Sequence, residues 1–249
     1  MKKLIAIVFI LSSVVAQAQH KETRKVGSFK GISVSSSIEA TYVHSNRNEV
    51  VLDVEDADHL KKLETVVEGG VLVIGYRSNS NIRTRRANRV TIYSTSSSLQ
   101  RIKVTSSASL RVEAPLKVSK ISIDLNSSGK LFVADLATEV AELDASSSGR
   151  VDAKITADAL TVEASSSAKL NLIGSARSAT IDISSSAQVD MSEFKIKNAV
   201  VDASSSAQAT VQVSDKLVAD ASSSAKITYI GKPASLQTDK SSGGQVTAR

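Results

Sequence analysis

Leu160-Thr161-Val162-Glu163-Ala164-Ser165-Ser166-Ser167-Ala168-Lys169-Leu170-Asn171-Leu172 is the stretch whose reading decides the fold. Every second residue from Leu160 to Leu172 is apolar or small, and the residues between are polar or charged. Side chains alternate faces in this way only along an extended strand, so the stretch is β structure with one face inward. Its centre, Ser-Ser-Ser closed by a small residue, recurs along the chain. Copies close at Ala108, Gly129, Gly149, Ala168, Ala187, Ala207 and Ala225, with a degenerate last copy at Gly243, in steps of 21, 20, 19, 19, 20, 18 and 18 residues. A low-complexity linker would not hold aliphatic residues in register through such a series.

A unit of this length cannot bury its own apolar face, whereas stacked copies can, each pairing its backbone with the next. Stacking aligns like residues in columns. Six residues before the closing position stand Ile102, Ile123, Leu143, Val162, Ile181, Val201 and Ala219; two after it stand Leu110, Leu131, Val151, Leu170, Val189, Ala209 and Ile227. These columns are the expected core. Continued alternation would turn the middle serines inward (Ser106, Ser127, Ser147, Ser166, Ser185, Ser205, Ser223) and leave outward pairs such as Ser165 and Ser167 as a flat hydroxyl face. Their need for hydrogen-bond partners places the triplet at a corner. In the last copy the inward slots fall on Asp239, Gln245 and Thr247, so residues 238–249 are expected to be a polar cap or tail.

Upstream the pattern loosens. Ile32-Val34-Ser36-Ile38-Ala40-Tyr42 alternates around an early Ser35-Ser36-Ser37, and Val50-Leu52-Val54 is a short strand. Asp56 to Leu63 suits a polar loop or one helical turn, and Val66-Val67, Gly69-Gly70 and Val71 to Ile74 suit a hairpin. The expected division is a signal peptide over 1–18, an extension over 19–27, an irregular β part of the same solenoid over 28–100, regular coils over 101–237, and the end piece over 238–249. The leader rests on Lys2-Lys3, the apolar run Leu4–Val15 and Ala16-Gln17-Ala18, with cleavage before Gln19. The run is too short to span a bilayer, which takes about 20 residues.

Composition narrows the function. No cysteine is present, so disulfides, thiolate metal sites, Cys nucleophiles and a lipid-modified Cys have no residue to use. Net charge is +6, or +4 without Lys2 and Lys3, with mixed signs throughout. Four Phe, four Tyr and no Trp supply few stacking platforms, which argues against single-stranded nucleic acid and deep sugar clefts.

Together these residues resemble a family. The Phe29-x-x-Ile32 opening, Val50 to Val54, the acidic loop with Leu60 and Leu63, Val71-Leu72-Val73-Ile74 and the repeated Ser-Ser-Gly/Ala turns are similar to the head GIN domain (DUF2807) adhesin-like family of Bacteroidetes-type bacteria, over roughly residues 28–234. The resemblance implies an all-β, right-handed parallel β-helix of about 18–21 residues per coil, exported to the periplasm, the outer surface or the medium. It supplies no functional residues.

Two surface sets stand out. Asp124, Asp144, Glu163, Asp182, Asp202 and Asp220 share one outward position, five before the closing residue. They suit cation or partner binding, or a solvated face, since exposed like charges about 5 Å apart repel weakly in water. Arg83, Arg85, Arg86 and Arg89, near Arg77, suit an anionic polymer or a solvated loop. Hydrolysis needs two carboxyls in unlike environments, whereas a uniform ladder makes every acid alike and no insertion opens a cleft. His20, His44 and His59 show no ligand spacing. The expectation is therefore a non-enzyme without metal or cofactor that contacts a cell-surface glycan or protein and no nucleic acid. A self-assembling homo-oligomeric envelope protein is the alternative, and a carbohydrate-active β-helix enzyme the last.

Overall fold

A computed structural model describes residues 20–77, 80, 82, 87–95 and 99–249. It is a parallel β-solenoid of about seven turns. The expected signal peptide lies outside the described residues.

From residue 101 onward sequence order is stacking order. β8 (Arg101–Val104) and β9 (Ser109–Val112) are followed by β10 (Leu116–Leu125), β11 (Lys130–Ala145), β12 (Arg150–Ala164), β13 (Lys169–Ile183), β14 (Gln188–Ala203) and β15 (Gln208–Ala221). β16 (Lys226–Ile230), β17 (Ser235–Lys240) and β18 (Gln245–Ala248) complete the series. Every pairing among them is parallel. Three walls result. The first precedes the serine turn (Leu160–Ala164 in its coil), the second follows it (Lys169–Leu172), and the third joins one coil to the next, as at Ile155–Ala157 on Gly174–Ala176. Both aliphatic columns are buried along their whole length, as their alternation requires.

The serine triplet is a type I′ turn. Both Ser166 (φ 51°) and Ser167 (φ 65°) are left-handed, and the Ala168 N–H donates to the Ser165 carbonyl at 3.0 Å. Two successive positive φ values break the alternation, so the middle serine is exposed rather than inward, from Ser106 to Ser223. The flat hydroxyl face is instead a convex ridge of two serines per coil. Left-handed L-residues are strained locally, and the stack fixes them. The Ser167 N–H donates to the Ser185 carbonyl of the next coil at 3.0 Å, and the same bond runs from Ser37 to Ser106 through to Ser224 and Ser242.

The N-terminal region uses the same layers in another order. β1 (His20–Lys25), β2 (Gly31–Val34), β3 (Glu39–His44) and β4 (Glu49–Val54) precede the short helix α1 (Ala57–Lys62). β5 (Leu63–Glu68), β6 (Val71–Tyr76) and β7 (Arg89–Ser94) follow, with β5 and β6 a hairpin about Gly69 (φ 55°) and Gly70 (φ 77°). β2 pairs in parallel with both β6 and β8, and β3 with both β7 and β9. The coil of residues 31–44 is therefore enclosed between coil 71–94 and coil 101–112. The outer end is closed by antiparallel strands, β4 on β7 and β1 on β4.

The other end is open, and its register corrects the sequence reading. The closing residue of the last turn is Gly244, whose N–H donates to the Ser241 carbonyl at 2.8 Å. Asp239 thus pairs with Asp220 in the outward acidic column, and Gln245 and Thr247 pair with outward Lys226 and Thr228. Leu236, Thr238, Lys240, Val246 and Ala248 occupy the inward slots, facing no further coil. An inward lysine on a terminal strand opposes edge-to-edge stacking.

Candidate functional site

The acidic column is continuous. Asp124, Asp144, Glu163, Asp182, Asp202, Asp220 and the additional Asp239 are direct neighbours on successive rungs of the first wall. Lys103 heads it, with its Nζ 3.0 Å from the Asp124 carboxylate. Partial burial, and then the carboxylates of Asp220 and Asp182 on either side, hold Asp202 above the usual carboxylate range. Strand geometry aims these groups outward in parallel, so they lie side by side and do not converge. No group of three or more metal-ligating side chains occurs among the described residues.

The arginine set divides. Arg83, Arg85 and Arg86 lie outside the described residues. Arg89 opens β7 with its Nε 3.6 Å from Glu39, an exposed pair of the kind worth about 1 kcal/mol or less. A second basic set faces outward just after the serine turn, where Lys130, Arg150 and Lys169 stack on consecutive rungs. Near the closed end, His59 packs edge-on against Tyr76 (ring centroids 6.1 Å apart), and Asn88 Nδ2 donates to the Tyr76 hydroxyl. Burial pushes the Tyr76 phenol up to about 12, the Asn88 contact partly offsetting it. Asn88 also accepts from the Glu55 N–H at 3.2 Å, so this polar group fastens the closing elements to the first coils.

The third wall carries what the sequence reading missed. The expectation of an uninterrupted side wall fails there, because differences in coil length are absorbed on this side. Ladder register slips between Val133 and Leu136, between Asn171 and Gly174, and twice in β14, between Met191 and Lys195 and between Ile196 and Asn198. Opposite Met191–Lys195, the shorter β15 has only Val211–Gln212, so three extra residues bow β14 outward and Phe194 fills the space beneath. Gly174 (φ 125°) makes a close approach there, since a Cβ would meet the Ile155 carbonyl oxygen at 2.0 Å.

The outcome is a groove of about 570 Å³ crossing five coils. Its floor includes Ala157, Ala176, Ile196 and Val213, and its rim includes Arg177, Lys195, Lys197 and Lys232. Arg177 pairs with Asp158 at 2.9 Å, whereas the three lysines have no carboxylate partner among the described residues. Lys197 lies between Ile196 and Asn198, the partners of Ala176 and Ser178, so it stands directly beside Arg177. The available signals were the variable repeat step, Gly174 inside an otherwise regular strand and Gly231 just past the end of another.

Comparison with known proteins agrees with this architecture. The family described as "Putative auto-transporter adhesin, head GIN domain" matches residues 28–233. A "putative adhesin" from Parabacteroides distasonis ATCC 8503 superposes with a TM-score of 0.87 at 20% identity, covering 94% of this chain and 98% of that one. One from Parabacteroides merdae ATCC 43184 gives 0.86 at 19%, covering 93% and 96%. A "Putative lipid binding protein" from Parabacteroides distasonis ATCC 8503 gives 0.84 at 21%, again covering 93% and 96%. No curated protein matches the sequence. At these identities the structural likenesses speak to fold alone.

Proposed function

Because the chain belongs to the head GIN domain family of adhesin-like proteins, we propose that it is an exported, non-catalytic solenoid that presents a rigid recognition surface to components of the cell envelope. The observation that carries this reading is the in-register stacking of outward side chains. A carboxylate recurs on every rung from Asp124 to Asp239, and Lys130, Arg150 and Lys169 recur on another wall. One chemistry repeated at the strand spacing of about 4.8 Å suits an extended ligand with its own repeat. Glycoside hydrolysis instead requires an acid and a base or nucleophile placed about the same bond. The column offers neighbours in a row, and the upward shift of the Asp202 carboxyl comes from partial burial and its own neighbours. Export is supported by Lys2-Lys3, the apolar run and Ala16-Gln17-Ala18.

Cell fractionation with N-terminal sequencing tests the location, the expected new terminus being Gln19. Binding of the exported protein to isolated envelope fractions tests the role. Saturable binding without turnover is expected, and removing one acid of the row at a time, as in Glu163→Gln or Asp182→Asn, should weaken it only in part. Turnover of an envelope polysaccharide that one carboxylate substitution abolishes would replace this reading with an enzyme.

A further inference from the structure

The third-wall groove carries positive charge that its own carboxylate does not balance. Asp158, Arg177, Lys195, Lys197 and Lys232 together give it a net charge of +3. Arg177 and Lys197 occupy adjacent rungs, where like charges about 4.8 Å apart repel, and Lys197 has no carboxylate partner among the described residues. Other adjacent rungs pair opposite charges: Lys120 with Glu142 at 2.6 Å, Lys154 with Asp135 at 3.0 Å, and Lys103 with Asp124 at 3.0 Å. In the groove like charges are stacked instead, beside a change of coil length.

We propose that this groove binds one chain of an anionic polysaccharide, with carboxylate or sulfate groups on Lys195, Lys197, Lys232 and Arg177. The proposal rests on the surface-recognition reading and names the ligand class for it. Shape selects the occupant. Five coils give a path of about 19 Å, enough for several sugar units laid along the solenoid axis. The floor lies below a bowed β14 and a charged rim, so a flat bilayer would meet the lysines without reaching the floor. Among the described residues no aromatic ring lines the groove, so neither a base nor a neutral sugar stacks there and binding rests on charge. Low-dielectric walls bearing one sign of charge concentrate an oppositely charged ligand.

Isothermal titration of the full exported protein with dextran sulfate and with polygalacturonate tests this, with neutral dextran as control. Both polyanions should bind, neutral dextran should not, and affinity should fall as salt rises. K195E/K197E should weaken binding on the order of tenfold or more, because two attractive contacts become repulsive. K25E/K30E makes the same change in net charge at two exposed lysines near the closed end and should leave affinity nearly as in the wild type. Lys195 and Lys197 are exposed, so their replacement should not alter the melting curve. K195Q/K197Q should weaken binding in the same direction by less.

Equal loss in the two charge-reversal variants would overturn the groove in favour of bulk charge. So would wild-type affinity in K195E/K197E, or tighter binding to phosphatidylglycerol vesicles or an oligothymidylate than to either polysaccharide. Envelope binding that survives K195E/K197E unchanged overturns the groove while surface recognition stands. No envelope binding by the wild type overturns the broader reading itself.

Discussion

The coils from residue 101 onward and the region before residue 95 build the same walls by different means. In the later coils each layer rests on its sequence neighbour, and one turn type with one aliphatic pattern serves throughout. In the earlier region the coil of residues 31–44 is enclosed by residues 71–94, which come later in the chain, and antiparallel β1 and β4 close the end. Repetition gives indefinite extension, and only irregular elements stop it. The closed end therefore had to be irregular, while the open end carries Lys240 in an inward slot.

The largest expected contrast is between the middle of the stack and its open end. Val162→Asp places a charge where the side chain is fully buried, which costs several kcal/mol, and should abolish cooperative folding. Leu236→Asp, at an inward slot 46% exposed on the last coil, should melt within a few degrees of the wild type. Circular dichroism melts of both variants decide it. A mildly affected Val162→Asp would mean that the columns face solvent.

The two turn chemistries give the next contrast. Gly69-Gly70 and Ser166-Ser167 serve the same turn class, one with glycine and one with strained L-residues. S166G/S167G should therefore stabilise the protein by about 1 kcal/mol, and Gly69→Ala should destabilise it by about 1 kcal/mol. Urea midpoints at unchanged slope measure both. A loss of stability in S166G/S167G would show that the hydroxyls contribute more than the strain costs.

The smallest effect concerns the acidic column. The Asp202 carboxyl is raised in the folded state, so its ionisation opposes folding as pH rises through the folded value. Asp202→Asn should then raise stability at neutral pH, by about 0.5 kcal/mol or less given solvent screening. The gain should disappear below about pH 4, where the carboxyl is protonated in both states. A gain that persists at low pH would assign it to something other than charge.

These contrasts follow what the sequence could disclose. The columns through Val162 and Leu170 were legible because strand period and repeat period act on the same residues. The orientation of Ser166 was not, because two left-handed residues in succession suspend the alternation used to read it. The last copy was misread by one residue because Gly243 and Gly244 both suit a closing position, and hydrogen bonding selects Gly244. The acidic column was complete except for Asp239, lost through that same slip. The groove was concealed because changes of repeat length resembled drift, although they all fall on one wall. Layer order was concealed because pairing between coil 31–44 and coil 101–112 leaves no local mark on either.

That layer order is where the account is most exposed, since it claims one continuous stack whose order differs from chain order. The absence of native cysteine makes disulfide trapping direct. Ser33 is the pairing partner of both Val73 and Lys103, so Val73 and Lys103 lie two strands apart, about 9.6 Å, beyond the reach of a disulfide. Under mild oxidation S33C/K103C should cross-link readily and V73C/K103C should not. Cross-linking of V73C/K103C with S33C/K103C left reduced would mean that the coils stack in sequence order, contradicting the account.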